Sequence, residues 1–380
     1  MTRVRMWPPR RAGRTARTGT GSFSPRRAAA ASALSVLAAA AALAAPGFAS
    51  PAHAATPQYT LTIVGTPGTN LFGINKNGVV FGEAVEQGAK AKEGFLLAAG
   101  AKKMVFLGSP GDQANANSQS APEAINGSAD IVGSATSFAT GNQTAVEWPD
   151  SATPTDLGAQ LGLQNLVSSP ALTSINDNGL ITGFGSNHGD IGFTISGSTV
   201  TRLPALPNGG VDVEPIAVSN SGLIVGQADT TTTGFQAAEW RNGTAQALGM
   251  LPSSLTSEAL AVNSTGEAVG ADLLTTDRDA HAVLFANGTV TDLNAPGTGA
   301  PGADAEARAI NDNGVIVGLG GNGHGFVYQN GQATDLNTLI AAGSGFTLGT
   351  ANGINSNGVI VGNATSNSTG QTFGYELTPA

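Results

Sequence analysis

Apolar and polar residues alternate through residues 59–64, Tyr-Thr-Leu-Thr-Ile-Val, with the two-residue period of a half-buried strand. Beyond that point the alternation falls into a recurring phrase. An apolar residue and a short polar residue end one strand, a turn reverses the chain, and a Val/Ile-rich run leaves it. The clearest copy is residues 310–318, Ile-Asn-Asp-Asn-Gly-Val-Ile-Val-Gly, and six weaker copies start at Ile74, Ile125, Ile175, Val218, Val262 and Ile354, so that neighbouring starts lie 43 to 51 residues apart. Each copy predicts a tight hairpin, since Asn and Gly tolerate the positive φ that such turns demand. In the copy at Ile125 the turn glycine is replaced by Ala129, which predicts a different turn there. The glycine that closes the phrase, at Gly82, Gly133, Gly183, Gly226, Gly270, Gly318 and Gly362, is common to all seven copies. It predicts a bulge or a close backbone approach once in every unit.

Two further strands follow each hairpin. Third strands are predicted at 93–97, 145–148, 192–195, 237–240, 280–285, 323–328 and 372–377, and fourth strands at 103–107, 155–157, 199–203, 245–248, 290–293 and 333–336. Four strands in each period of this size is the arithmetic of a propeller blade. The last unit has no fourth strand, and the strand at 59–64 has no hairpin of its own. One completes the other, so the pattern predicts an all-β, seven-bladed β-propeller of four-stranded blades, closed by its N-terminal strand and leaving no free edge at the seam. An open solenoid would need polar capping repeats, and none is visible. The connections at 108–120, 158–170 and 294–303 are rich in Gly, Pro, Ser and Asn and are expected as surface loops gathered on one face. Rigid blades that position variable loops are a usual setting for binding.

Composition changes the picture at the N-terminus. Residues 1–54 carry eight arginines and no acid, then an Ala/Leu-rich run, then Ala52-His53-Ala54 before Ala55. This is the pattern of a secretory signal peptide, leaving residues 55–380 as a single seven-repeat domain. Arg10-Arg11 and Arg26-Arg27 keep a twin-arginine route open beside ordinary export. No other apolar run is long enough to span a bilayer, and the absence of cysteine excludes both disulfides and a lipoprotein anchor. A secreted, extracellular protein without a membrane anchor is expected. Eight of the 17 basic residues sit in the leader, leaving nine against 26 acids, a formal balance of −17 that disfavours nucleic acid as a partner.

The unit Ala-x-x-Ile-Asn-x-x-Gly-x-Val-Val-Gly followed by His-Ala-Phe-Leu-Trp-like residues resembles the extracellular HAF repeat family. Residues 307–318 with 324–328, and 259–270 with 281–285, carry the resemblance, which extends over most of the chain from Tyr59 to Leu377. Phe193 lacks the preceding histidine, and Glu147-Trp148 and Glu239-Trp240 place an acid where the pattern prefers an aliphatic residue. The resemblance implies export and a repeat fold, and it implies no reaction.

Candidate chemistry is sparse. His281 and His324 occupy equivalent third-strand positions in successive units, where structural hydrogen bonding is the expectation; His188 stands alone in a Gly/Asn-rich loop. The Asn-Asp-Asn-Gly turns at 176–179 and 311–314 resemble calcium loops only faintly, because the late bidentate acid is missing. No pattern calls for a metal or a cofactor. Four residues before successive hairpins stand Glu214, Glu258 and Glu306, with Arg308 nearby. If they open the inner strands they surround the mouth of the central channel, where like charges need an offsetting cation or basic group. They are the candidate ligand-binding residues, and solvated loop acids are the alternative. The expected function is a non-enzymatic binding or scaffold module for an extracellular glycan or protein, acting through its loop face. A secreted polysaccharide hydrolase or lyase is the alternative from another class, since a pair of carboxylates suffices for glycoside cleavage. It lacks the Ser-x-Asp-x-Gly-x-x-Trp boxes of sialidase-like blades.

Overall fold

The computed structural model describes residues 58–87, 91–111, 120–136, 141–149, 154–207, 209–231, 234–276, 279–299 and 302–380, and the signal peptide expected over residues 1–54 lies outside the described residues. Seven antiparallel sheets of four strands make a seven-bladed β-propeller. Blade 1 runs outward through Asn70–Ile74, Val80–Val85, Lys92–Leu97 and Val105–Phe106. Blades 2 to 6 repeat this order from inner strands Ser120–Ile125, Ser168–Ile175, Gly209–Val218, Ser254–Val262 and Glu306–Ile310. Blade 7 takes Phe346–Ile354, Ile360–Ser366 and Thr372–Pro379 from the C-terminal end and Tyr59–Val64 as its outer strand. The seam is in register from Tyr59 opposite Pro379 to Val64 opposite Gly374, so ladder hydrogen bonds join the two ends of the ring.

The core lies between blades. Side chains on facing sheets interlock, as where Val132 and Ala145 of blade 2 meet Leu172, Phe193 and Ile195 of blade 3. Trp148 and Trp240 are buried against the preceding blade, and each donates its indole N–H to a carbonyl there, at Gly108 (2.7 Å) and Pro204 (2.8 Å). Burial of a large apolar side chain contributes about 2–3 kcal/mol, and the indole donors are satisfied as buried polar groups must be.

The closing glycines make the close approach that their recurrence predicts. Each pairs with the inner strand at a register shift, for example between Leu71 and Gly73 opposite Gly82 and between Ala307 and Ala309 opposite Gly318. A Cβ on Gly82 or Gly318 would overlap the backbone oxygen of Asn70 or Glu306. The inner strand carries the bulge, and the glycine admits it.

Three expectations are corrected. The turn at Ala129 is the same as the others: Ala129 N donates to Asn126 O and Asn126 N to Asp130 O, as Gly78 N donates to Asn75 O and Asn75 N to Val79 O. Ala129 adopts φ +71° to do so, a strain that glycine would avoid. Within these turns only the fourth residue takes positive φ, so the Asn before it is not there for left-handed backbone. The connection at 158–170 is also no plain surface loop. It holds the helix Leu157–Gln160, capped by Asp156, and the 3-10 turn Leu163–Asn165, and these bury Leu163 and Val167 in the core between blades 2 and 3.

Candidate functional site

The inner ring has two ends with different chemistry. At the turn end, the recurring Asn is buried and does two jobs. Its Oδ1 accepts the backbone N–H groups two and four residues on, as at Asn311 from Asn313 (3.0 Å) and Val315 (3.0 Å), which holds the turn closed. Its Nδ2 reaches the backbone carbonyl of the next blade's equivalent residue. This clasp links Asn75 to Asn126 (2.9 Å), Asn176 to Ser219 (2.9 Å), Asn263 to Asn311 (3.3 Å), Asn311 to Asn355 (3.0 Å), and Asn355 to Asn75 (3.4 Å) across the seam. Two junctions differ: Asn126 turns its Nδ2 to Asp130 (2.8 Å), and the fourth blade has Ser219, which is too short to reach. Turn chemistry alone hid this role, because an Asn that caps its own turn looks sufficient in one unit; its presence in six of seven copies was the available signal.

Outside the clasp, Lys76 of blade 1 passes over Gly127 of blade 2 and pairs with Asp177 of blade 3 at 2.6 Å, while Asp177 also accepts Gly127 N (2.6 Å) and Asn220 Nδ2 (3.1 Å). A Cβ at Gly127 would collide with the lysine side chain. Burial alone would raise the Asp177 carboxyl, but the hydrogen bond from Lys76, the Gly127 N–H and the lysine charge hold it below the usual range.

At the other end, Glu214, Glu258 and Glu306 stand half-buried at equivalent places on the inner strands of blades 4, 5 and 6. The structure brings Glu306 and Arg308 together at 2.8 Å. Arg308 continues to Asn352 Oδ1 of blade 7 (3.2 Å), and Asn352 Nδ2 donates to Leu71 O of blade 1 (2.7 Å), a polar chain over three blades. Glu214 instead accepts Gln227 Nε2 of its own blade at 2.9 Å. Glu214 and Glu306 therefore share a position and differ in partner.

Two of the histidines pair with a carboxylate of their own blade. His281 Nδ1 lies 2.8 Å from Asp292 and His324 Nδ1 2.7 Å from Asp335, each pair inside one blade. The same separation of 11 residues in both units was the legible sign. Asp335 also accepts Asn337 N, and although burial pushes it upward, His324 and Asn337 bring its carboxyl below the ordinary value. Asp272, opposite His281, is buried and raised by that burial despite N–H and hydroxyl donors from Leu251 and Ser254. His188 is exposed in a hairpin turn at φ +56°. In the Asn-Asp-Asn-Gly turns the side-chain oxygens of Asn176 and Asn311 accept backbone N–H groups, and among the described residues no three His, Asp or Glu side chains are placed to hold a metal ion.

A hollow of about 640 Å³ lies between blades 3 and 4. Thr194 and Trp240 line it, whereas at the junction of blades 1 and 2 the equivalent Leu96 packs against the cluster that holds Trp148.

No protein-family model matches the chain, and no curated protein matches it in sequence. Solved structures match at the level of fold. TolB from Acinetobacter baumannii aligns with TM-score 0.43 and 13% identity over 82% of this chain, which spans 63% of that protein's length. The propeller domain of the Trilobed protease from Pyrococcus furiosus aligns with TM-score 0.44 and 9% identity, covering 80% of this chain and 95% of that one. A lectin from Aleuria aurantia in complex with a fucosylated sugar aligns with TM-score 0.36 and 10% identity, covering 85% and 96%. The chain is a propeller scaffold, and neighbours of such different kinds leave its function to be argued from its own residues.

Proposed function

We propose that the chain is a secreted, non-enzymatic protein of the HAF repeat type, whose loop face binds or scaffolds an extracellular glycan or protein. One observation carries this reading. The polar side chains that the repeat delivers to equivalent places are largely engaged inside the ring: Asn to the next blade, His to Asp, Glu306 to Arg308, Glu214 to Gln227. Repetition is used for the scaffold, which leaves the non-repeating connections between blades as the variable surface. Glu214, Glu258, Glu306 and Arg308 form the polar rim of that surface around the channel mouth.

The experiment is a thermal-shift screen of residues 55–380 against calcium with and without chelator, cell-wall fragments and a glycan panel. A ligand at a hundred times its Kd adds about 2.7 kcal/mol, a rise of a few degrees for a domain of this size. One glycan class is expected to give that rise without release of new reducing ends. Turnover of the bound glycan would instead establish a hydrolase or lyase. An unchanged rise in the variant with Glu214, Glu258 and Glu306 all replaced by Gln would remove those residues from the site.

A further inference from the structure

Asn-Gly pairs occur in two kinds of hairpin turn in this chain, and the fold treats those two kinds oppositely. Asn-Gly is chemically labile: the backbone nitrogen of the glycine attacks the Asn side-chain carbon, a C–N bond forms, and the side-chain nitrogen leaves as ammonia with the proton from the glycine nitrogen. The resulting succinimide adds water and opens to aspartate or isoaspartate. The reaction needs an attacking nitrogen that can lose its proton and a side chain free to approach it.

In the inner hairpin turns the nitrogen is held. Gly78 N donates to Asn75 O, Gly179 N to Asn176 O, Gly314 N to Asn311 O and Gly358 N to Asn355 O, each at 3.0 Å. Three of the four Asn side chains are also fixed, since Asn77, Asn178 and Asn313 donate to Gly127 O (2.7 Å), Asn220 O (3.0 Å) and Ser356 O (3.1 Å) of the next blade.

The hairpins between third and fourth strands of blades 4, 5 and 6 are different. Their two-residue turns are Asn242-Gly243, Asn287-Gly288 and Asn330-Gly331, with both residues at positive φ, as such turns require. All six residues are exposed. The strands pair at Arg241 with Thr244, Ala286 with Thr289 and Gln329 with Gln332, so the ladder ends just outside each turn. Among the described residues no hydrogen bond engages the three glycine nitrogens or the three Asn side chains.

We propose that Asn242, Asn287 and Asn330 are sites of spontaneous succinimide formation, and that the inner Asn-Gly pairs are protected by the turn hydrogen bond and, at Asn77, Asn178 and Asn313, by the pair's own Asn side chain bonded to the next blade. Each event adds a carboxylate to the face of the disc that carries the hairpin turns. Opening to aspartate leaves an Asp-Gly turn that the hairpin accepts. Opening to isoaspartate lengthens the backbone by one methylene and breaks the two-residue turn.

The test holds the purified chain in mildly alkaline buffer at physiological temperature and follows each Asn-Gly peptide by mass spectrometry, with isoaspartate distinguished from aspartate. A parallel sample is kept in concentrated urea. Conversion at positions 242, 287 and 330 is expected to run several-fold faster than at 77, 178 and 313 in the folded chain, and all six rates are expected to converge in urea. Equal rates in the folded chain, or faster conversion at the inner turns, would overturn the proposal. So would differences that persist in urea, because they would then come from neighbouring sequence and not from the fold.

Discussion

The two ends of the inner strands show what repetition is used for. At the turn end nearly every blade has the same buried Asn making the same bonds, and the same closing glycine lies against the inner strand's bulge. At the opposite end equivalent places hold Asn70, Ala121, Ala171, Glu214, Glu258, Glu306 and Thr350. The uniform end is where each blade meets its neighbour through backbone, so one geometry must recur around the ring. The other end meets solvent and loops, and no such constraint fixes it. Uniformity marks assembly, and variation marks where recognition has room.

The sharpest way to break that contrast is Gly318→Ala. A methyl there meets the Glu306 backbone, which cannot step aside without loss of the bulge, and a cost of about 3 kcal/mol or more is expected from urea unfolding. Gly314→Ala, in the turn above it, meets only the end of the Glu267 side chain at an ordinary 3.8 Å and the strain of φ +74°, so about 1 kcal/mol is expected. Similar costs for the two would show that the close approach is not what the closing glycine is for.

Next in size is Asn311→Ala. It removes the acceptor for two backbone N–H groups and the donor to Asn355, and should cost about 2–4 kcal/mol. Ser219→Ala, at a junction without the clasp, removes a hydroxyl that takes one N–H and should cost about 1 kcal/mol. An Asn311 variant no worse than the Ser219 variant would mean that the clasp contributes nothing beyond a turn cap.

The smallest effect concerns the strap from Lys76 to Asp177. The Asp177 carboxyl is lowered in the folded state, so its contribution is fully present above the unfolded value of about 3.9 and is lost as pH falls through the lower folded value. The pair is partly exposed, with Lys76 54% and Asp177 25% accessible, so Lys76→Met should cost only roughly 0.5 kcal/mol at neutral pH. The variant and the wild type should converge at low pH. Asp335 is lowered too and falls in the same acid range, so a Lys76→Met, Asp335→Asn double variant should lose more of its acid sensitivity than either single variant. Curves that stay parallel through the acid range would show that these carboxylates do not set the pH response.

The period, the four-strand count and the exchange of one strand between the chain ends were all legible in the residues. They follow from short-range facts: alternation reports a half-buried strand, and turn chemistry reports where it reverses. The orphan strand at Tyr59–Val64 and the missing fourth strand of the last unit were enough to predict the closure seen in the pairing with Thr372–Pro379. Several roles were decided only in the tertiary structure. Whether the recurring Asn caps its own turn or binds the next blade depends on the distance between units some 44 residues apart, and no local pattern contains that distance. Ala129 keeps the common turn because the ring imposes it, against the residue's own preference. Leu163 and Val167 looked like loop residues because their apolar spacing is too short to register, and only the gap between blades 2 and 3 selects them for burial. Glu306 finds Arg308 two residues on, while Glu214 finds Gln227 across its own sheet, since equal positions in a repeat share a backbone place and not the same neighbours.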